Sequence, residues 1–384
     1  MNHTSYIEIS ESAIQNNIDF IKQFLGDETI FSSVVKGNAY GHGINIYCPL
    51  AYKYGIRHFS VSDAHEAYEL KSCLPNDDVE IMIMGMIEND QLSWAINNNI
   101  SFYVFEENRL KNALFYAKKF KKTAQIHIEV ETGMNRTGFE KSQITSIIDF
   151  VKSNSKFLKL KSVCSHLAGA ESITNYKRIS KQRKNFKLIK KEIKQHVNSS
   201  PLFHLASSAA TIRYPKTQLD LVRIGILQFG YFPTKEILVH YFNKEKTFVN
   251  PLKRIVSWKS SVMDIKVVKS GEFIGYGTSY FTNEETTIAI IPVGYSSGYN
   301  RLLSNRGKVL INGDRFNVIG TVNMNMMAVD ITHNKNIKKG DEVVLIGSQK
   351  EKEITVSSFN DSIQLINYEL LTRLPKNLPR IITK

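Results

Sequence analysis

FSSVVKGNAYGHG, residues 31–43, sets a short β-branched and aromatic run directly against a lysine and three glycines. The run has the composition of a strand, and the glycines after it permit a tight loop that exposes backbone. Seven comparable runs follow: HFSVS at 58–62, EIMIM at 80–84, SFYVF at 101–105, QIHIEV at 125–130, LKSVCSH at 160–166, LFHLAS at 202–207 and DLVRIGI at 220–226. Longer polar, helix-like stretches separate them. Eight runs alternating with helical segments is the count of a closed parallel (β/α)8 barrel of the TIM type. A doubly wound sheet is the competing arrangement, because periodicity alone does not show closure.

After about residue 235 the texture changes. SSVMDIKVV, TTIAIIPV, KVLING and RFNVIGTV are β-rich and punctuated by Gly and Asn turns, which predicts a mainly antiparallel β domain. The 384 residues also exceed the roughly 250–300 at which a single core stops growing. The expected organisation is therefore α/β plus β: a barrel over 1–235, then a β domain over 236–384, with no internal repeat or low-complexity linker between them.

Apolar residues make up 42% of the chain and charged residues 22%, which argues against disorder. Cys48, Cys73 and Cys164 form no CxxC pair and leave one thiol over in any disulfide scheme, so a reducing compartment is expected. The opening MNHTSYIEISES has no apolar core of signal-peptide length, and no later window approaches ~18 continuous apolar residues. The expectation is a cytoplasmic chain with no membrane partner. The net charge of +14 comes largely from segments such as KKFKK at 118–122 and KLIKKEIKQ at 187–195. These read as solvated helix faces, and no nucleic-acid motif accompanies them, so no nucleic-acid partner is expected.

In a barrel, functional residues gather just beyond the strand ends at the C-terminal face. Lys36 ends the first run, Arg136 follows the fifth in ETGMNRTG, His166 ends the sixth, Ser207 and Ser208 end the seventh, and Arg223 lies in the eighth before Gly225. Desolvation and nearby cations disfavour a lysine's ammonium form, freeing the amine to attack an aldehyde, which is Schiff-base chemistry. On position alone, a lysine reaching solvent explains Lys36 equally well. Ser208 with Gly225 and Ile226 offers hydroxyl and backbone donors where barrels often hold phosphate, although ordinary cap serines are the plain alternative. His42 and His204 read as satisfied structural histidines, and Trp258, Tyr280 and Tyr299 as packing or site-wall residues. No histidine pair sits at metal-site spacing with an acid, so no catalytic metal is expected.

KGNAYGHG, ETGMNRTGF, SHLAGAES, HLASSAAT, VRIGILQFGYFP, GYGTSY, PVGYSSGYNR and GTVNMN, taken in this order, resemble the alanine racemase family of fold-type III pyridoxal-phosphate enzymes. The resemblance spans essentially the whole chain. It implies a barrel carrying pyridoxal 5'-phosphate, a C-terminal β domain, and a head-to-tail homodimer whose active sites borrow residues from the partner. By resemblance, Lys36 is the Schiff-base lysine and, with Tyr276, one of two catalytic bases. Tyr40 and Ser208 correspond to phosphate contacts, Arg223 to the arginine facing the pyridine nitrogen, and His166 to its supporting histidine. Arg136 corresponds to the arginine near the cofactor phenolate and substrate carboxylate, Tyr295 to a site tyrosine, and Met324 to the residue whose N–H binds substrate carboxylate. The implied activity is interconversion of L-alanine and D-alanine, supplying D-alanine for peptidoglycan.

Departures from the family pattern touch the substrate. Glu129 stands where many members carry a lysine, and a charge-assisted hydrogen bond from Arg136 is expected to let it substitute for that position's charge. Its side chain is short, which leaves room for water or an anion. Arg301 and Glu171 correspond to residues lining the substrate entrance. Asn325, Thr321 and Lys376 replace an acid, an arginine and a tyrosine, which opens serine, lysine or ornithine as alternative substrates. A fold-type III decarboxylase is the competing enzyme, but those enzymes pair an acid with the ring nitrogen, against Arg223. A non-catalytic cofactor carrier would need no second base.

Overall fold

A strand buried on both faces reads as a near-continuous apolar run, whereas one facing solvent alternates; both patterns appear in this chain, in different places. The computed structural model describes residues 3–74, 78–196, 201–363 and 367–384. The strands in chain order are β1 (Ser5–Ser10), β2 (Ile30–Val34), β3 (His58–Val61), β4 (Glu80–Ile83), β5 (Ser101–Val104) and β6 (Ala124–Glu129). They continue with β7 (Leu158–Cys164), β8 (Leu202–Ser207), β9 (Leu221–Ile224), β10 (Val256–Ser261), β11 (Asp264–Val268) and β12 (Thr286–Ile291). The last are β13 (Lys308–Ile311), β14 (Asp314–Ile319), β15 (Met327–Asp330), β16 (Glu342–Gln349), β17 (Lys352–Ile354) and β18 (Arg380–Thr383).

Strands β2 to β9 form a closed barrel in sequential order, all parallel, with β2 pairing both β3 and β9. Each of the eight runs read from the sequence is one barrel strand. β3, β5 and β9 are buried at every residue, as a sheet covered by helices on one side and filled by side chains on the other requires. The filling is partly polar: Ser32, Ser60, His58, His127, Ser162 and His204 are all buried. The connecting helices carry ordinary start signals, such as Asp63 accepting from the Glu66 N–H at 2.9 Å ahead of helix Ala64–Cys73.

The remaining strands make one sheet in the order β11-β12-β15-β14-β13-β16-β10-β1-β18, with β17 on the flank of β16. All its pairings are antiparallel except β1 with β18. The chain thus divides into a sheet unit of Met1–Ser12, Gly37–Ile46 and Arg254–Lys384 and a barrel unit of Ala13–Lys36 and Tyr47–Lys253. A single cut after residue 235 does not describe this division. β1 belongs to the sheet because its alternating burial suits a strand paired with β10 and β18. Helix Lys235–Glu245 belongs to the barrel because Tyr241 meets Phe20 and Phe232 at ring distances of 5.8 and 5.4 Å. Cys48, Cys73 and Cys164 are not in disulfides; Cys48 and Cys164 are buried and Cys73 is half-buried. No described helix is long and apolar enough to cross a membrane.

Candidate active site

In the barrel unit, Lys36 stands two residues beyond β2, whose exit is fixed by the Val35 N–H donating to Ser60 O at 2.8 Å. The side chain reaches an accessible position, yet its pKa is lowered by the protein packed around the amine, and next by the Arg136 cation; Glu66 opposes this, and Arg223 adds to it. A lysine held among two guanidiniums loses its proton more readily than one in water, as nucleophilic attack requires.

Arg223, on β9, is 6% exposed and has no carboxylate partner among the described residues. Its Nη2 donates to Ser165 O at 2.8 Å and Leu205 O at 3.2 Å, and lies 3.5 Å from His166 Nδ1. Its Nη1 donates to His204 Nδ1 in a short contact. Burial first, then Arg223, Arg136 and Lys36, push the His166 pKa down to about 3, so this imidazole is neutral.

An arginine only donates, which fixes the tautomer of the histidine behind it. His204 Nδ1 must accept, so its Nε2–H donates to Ser162 Oγ at 2.8 Å, and Ser162 Oγ is hydrogen-bonded to His127 Nδ1 at 2.6 Å. His127 Nε2 ends the chain with no partner among the described residues. His204, read from the sequence as a satisfied structural histidine, is satisfied, and its partner is the functional candidate Arg223.

Ser208 is 5% exposed and its Oγ accepts the Gly225 N–H at 2.9 Å, with Ile226 opening the short turn Ile226–Phe229 beside it. Gln228, fully buried, ties the strand ends together: its Oε1 accepts from Ser33 at 2.6 Å and Tyr47 at 3.0 Å, and its Nε2 donates to Val34 and Ile224 O at 2.9 and 2.8 Å. It therefore sets the spacing between the exits that carry Lys36 and Gly225. Gln182, also fully buried, links the loops after β6 and β7: it accepts from the Ala168 N–H at 2.8 Å and donates to His166 O at 2.9 Å on one side and to Thr132 Oγ1 at 3.4 Å on the other. Sequence reading missed both glutamines; the only local signal is a polar residue inside the apolar run GILQFGYF or on the inner face of a basic helix.

Glu129, at the end of β6, is 6% exposed. The expected charge-assisted hydrogen bond from Arg136 does not form: Nη2 lies 4.0 Å from Glu129 Oε1, an ion pair only, while Thr137 donates to Oε2 at 2.7 Å. The reason is reach, since the carboxylate is short and is drawn to the nearer hydroxyl. The Arg136 loop is shaped instead by Glu131, which accepts from the N–H groups of Met134 and Asn135 at 2.7 and 2.8 Å. Glu171 is half-buried after β7, and its main-chain carbonyl accepts from Thr234 at 3.2 Å.

In the sheet unit, the loop after β2 runs left-handed from Gly37 to Gly41, with φ of 64°, 55°, 52°, 51° and 81°. The L-residues Asn38, Ala39 and Tyr40 each hold this hand at a cost of roughly 1–2 kcal/mol. A Cβ on Gly41 would stand 1.9 Å from Leu371 O, so only glycine fits there. Tyr40 is buried, 5.9 Å from the Tyr368 ring.

Three loops of the same unit meet elsewhere. Thr321 Oγ1 donates to Tyr276 O at 3.3 Å, the Tyr295 N–H donates to Asn323 O at 3.0 Å, and Ser296 Oγ donates to Met324 O at 2.7 Å. Asn325 Nδ2 donates back to Ser296 Oγ at 2.9 Å. Tyr276, Met324 and Tyr295 are 75%, 55% and 44% exposed. Tyr295 and Arg301 line a cavity of about 510 Å³ with Asn300 and Arg373. Lys376 is exposed. Trp258 and Tyr299 are fully buried packing residues, Trp258 donating to Ser5 Oγ at 3.0 Å, and Tyr280 packs on a small core of Ile274, Ile288 and Ile319. Among the described residues no three His, Cys, Asp or Glu side chains are grouped to hold a metal ion.

The family model for the alanine racemase N-terminal domain matches residues 9–233, and that for the alanine racemase C-terminal domain matches 255–382. An alanine racemase of Leptospira interrogans is 30% identical over 99% of this chain and 96% of its own, and one of Desulforamulus reducens is 33% identical over 99% of each. A solved structure of the Bartonella henselae alanine racemase, described as having covalently bound pyridoxal phosphate, aligns with a TM-score of 0.85 at 27% identity over the full length of both chains. With a closed barrel, a following antiparallel sheet and both domain models matched in order, the chain belongs to the alanine racemase family.

Proposed function

We propose that this protein interconverts L-alanine and D-alanine, using pyridoxal 5'-phosphate held at Lys36 and two bases on opposite faces of the substrate. The observation that carries the reading is the Lys36 amine, its pKa lowered by burial and by Arg136 and Arg223, standing beyond a strand end of a parallel barrel. The donor set suits the cofactor. A nucleophilic amine answers its aldehyde, the hydroxyls of Tyr40 and Ser208 with the Gly225 and Ile226 backbone answer its phosphate, and Arg223, supported by His166, answers its ring nitrogen.

When bound, the cofactor supplies the electron sink that makes the substrate's α-proton removable. Racemisation then needs that proton taken from one face and a proton returned to the other. Lys36 serves the D-enantiomer's proton and the partner subunit's Tyr276 the L-enantiomer's. Arg136, Met324 and Tyr295 orient the substrate carboxylate, and Glu129 holds charge near Arg136. Arg301 and Glu171 line the entrance. The protein works as a cytoplasmic homodimer, and its product is D-alanine for peptidoglycan. With the cofactor held there, an arginine in place of an acid at the ring nitrogen would weaken the electron sink that the cofactor supplies, and so would limit transamination. Arg223→Glu is expected to raise the share of transamination, and an unchanged partition counts against this role.

A chiral assay of the pyridoxal-phosphate-loaded protein on L-alanine, serine, lysine and ornithine tests the reading. Alanine turning over fastest supports it; a faster basic amino acid moves the substrate, as Thr321, Asn325 and Lys376 allow. Carbon dioxide release without loss of optical activity would make it a decarboxylase, and binding without turnover a carrier.

A further inference from the structure

Every nitrogen of the Arg380 guanidinium donates to main-chain carbonyls. Nε and Nη2 converge on Gly41 O at 3.0 and 2.7 Å, and Nη1 donates to Pro375, Lys376 and Leu378 O at 3.1, 3.1 and 2.8 Å. No carboxylate pairs with it among the described residues. A guanidinium spent on two chain segments at once fixes their relative position, because its donors leave in a rigid fork. The carbonyl that takes two of them belongs to Gly41, the last of five consecutive residues with positive φ.

Asn38, Ala39 and Tyr40 hold that conformation only if surrounding contacts impose it. The contacts are visible. Leu371 O occupies the place of a Gly41 Cβ, and a Cβ on Gly43 would meet Arg380 Cδ at 3.0 Å. Asn38 Oδ1 accepts the Ile44 N–H at 3.0 Å, and His42 Nδ1 lies 2.9 Å from Ala39 O. Arg380 is a long-range clamp made by a side chain, 339 residues along the chain from Gly41.

We propose that Arg380 is a positioning residue that locks the left-handed segment 37–41 and so presets the Tyr40 hydroxyl for the phosphate group of the cofactor. The consequence for the cofactor rests on the function proposed above; the lock itself does not. A residue that merely completes β18 would alter stability without separating phosphorylated from unphosphorylated ligand.

Hydrogen exchange across 37–43 in the cofactor-free protein, compared with Arg380→Gln and Arg380→Lys, reads the lock. Arg380→Gln should speed exchange there about tenfold or more, with Arg380→Lys between, since one ammonium reaches fewer of the carbonyls. Binding is then titrated with pyridoxal phosphate and with pyridoxal. Arg380→Gln should weaken the first about tenfold and the second within about twofold. In an Ala39→Gly background that loss should shrink, because glycine adopts the left-handed turn unaided. Unchanged exchange overturns the lock. Equal losses for both ligands, or a loss that Ala39→Gly leaves untouched, overturn the presetting of Tyr40. Wild-type protein that takes up no pyridoxal phosphate sinks the proposed function instead, and the exchange result still decides the lock.

Discussion

Arg223 and Ser208 are 6% and 5% exposed and are tied by side-chain hydrogen bonds to neighbouring strands, whereas Tyr276, Met324 and Tyr295 are 75%, 55% and 44% exposed and are placed by the backbone of three loops. The first group owes its chemistry to burial, which keeps one cation in place and lowers the pKa values of a neighbouring lysine and histidine. The second is displayed, and its chemistry depends on whatever covers it. Under the proposed function, damage to the barrel group is expected to remove both cofactor binding and turnover, and damage to the displayed group turnover alone.

Acid breaks the barrel side first and hardest. Burial lowers the pKa of His58 to about 4 and of His166 to about 3, and takes His127 and His204 well below their ordinary value. These histidines are neutral when folded and gain protons near pH 6.5 when unfolded. Their contribution is therefore fully present above pH 6.5 and lost as pH falls below it, at about 1.4 kcal/mol per pH unit for each. Urea midpoints measured from pH 7 to 4.5 should fall steeply, and a flat profile down to pH 5 would mean these groups are not held neutral.

Lys36→Ala comes next. It removes the amine, so borohydride should fix no cofactor to the protein, and racemisation should drop by at least ~10³-fold. Tyr276→Phe deletes one displayed hydroxyl. Racemisation should fall by about 10²–10⁴-fold while uptake of pyridoxal phosphate stays as in the wild type. If uptake falls in step with rate, the two groups are not separable and the comparison fails.

How much of this the chain announces in advance depends on range. Barrel strands are legible because a strand covered on both faces is a short run rich in apolar and β-branched residues, and Lys36 and Arg223 stand out as cations against such runs. The place of β1 is not legible, since its partners lie near residues 256–260 and 380–383. The left-handed turn shows in Gly37, Gly41 and Gly43, but nothing local marks Asn38, Ala39 or Tyr40 as sharing it. Gln228 and Gln182 look like surface residues until the fold gives their amides four and three partners. The Glu129 reading erred for a related reason: charge is legible in a sequence, reach is not.

Ser162→Ala is the gentlest change, and it strikes the barrel side where no ligand is near. The hydroxyl accepts from His204 and is hydrogen-bonded to His127 Nδ1, both histidines being buried, so its loss leaves two imidazole nitrogens without partners in the core. An unmade buried hydrogen bond costs about 1–3 kcal/mol, which should lower the urea midpoint with no change in slope. His204 is also the group that accepts from Arg223, so the loss should reach the cation and loosen cofactor binding slightly. Because Arg223 can only donate, His204 cannot recover by flipping its ring: the nitrogen facing Arg223 must stay unprotonated. An unchanged midpoint would show that the barrel interior readjusts as freely as the displayed loops do, and the difference between the two halves would then be one of exposure alone.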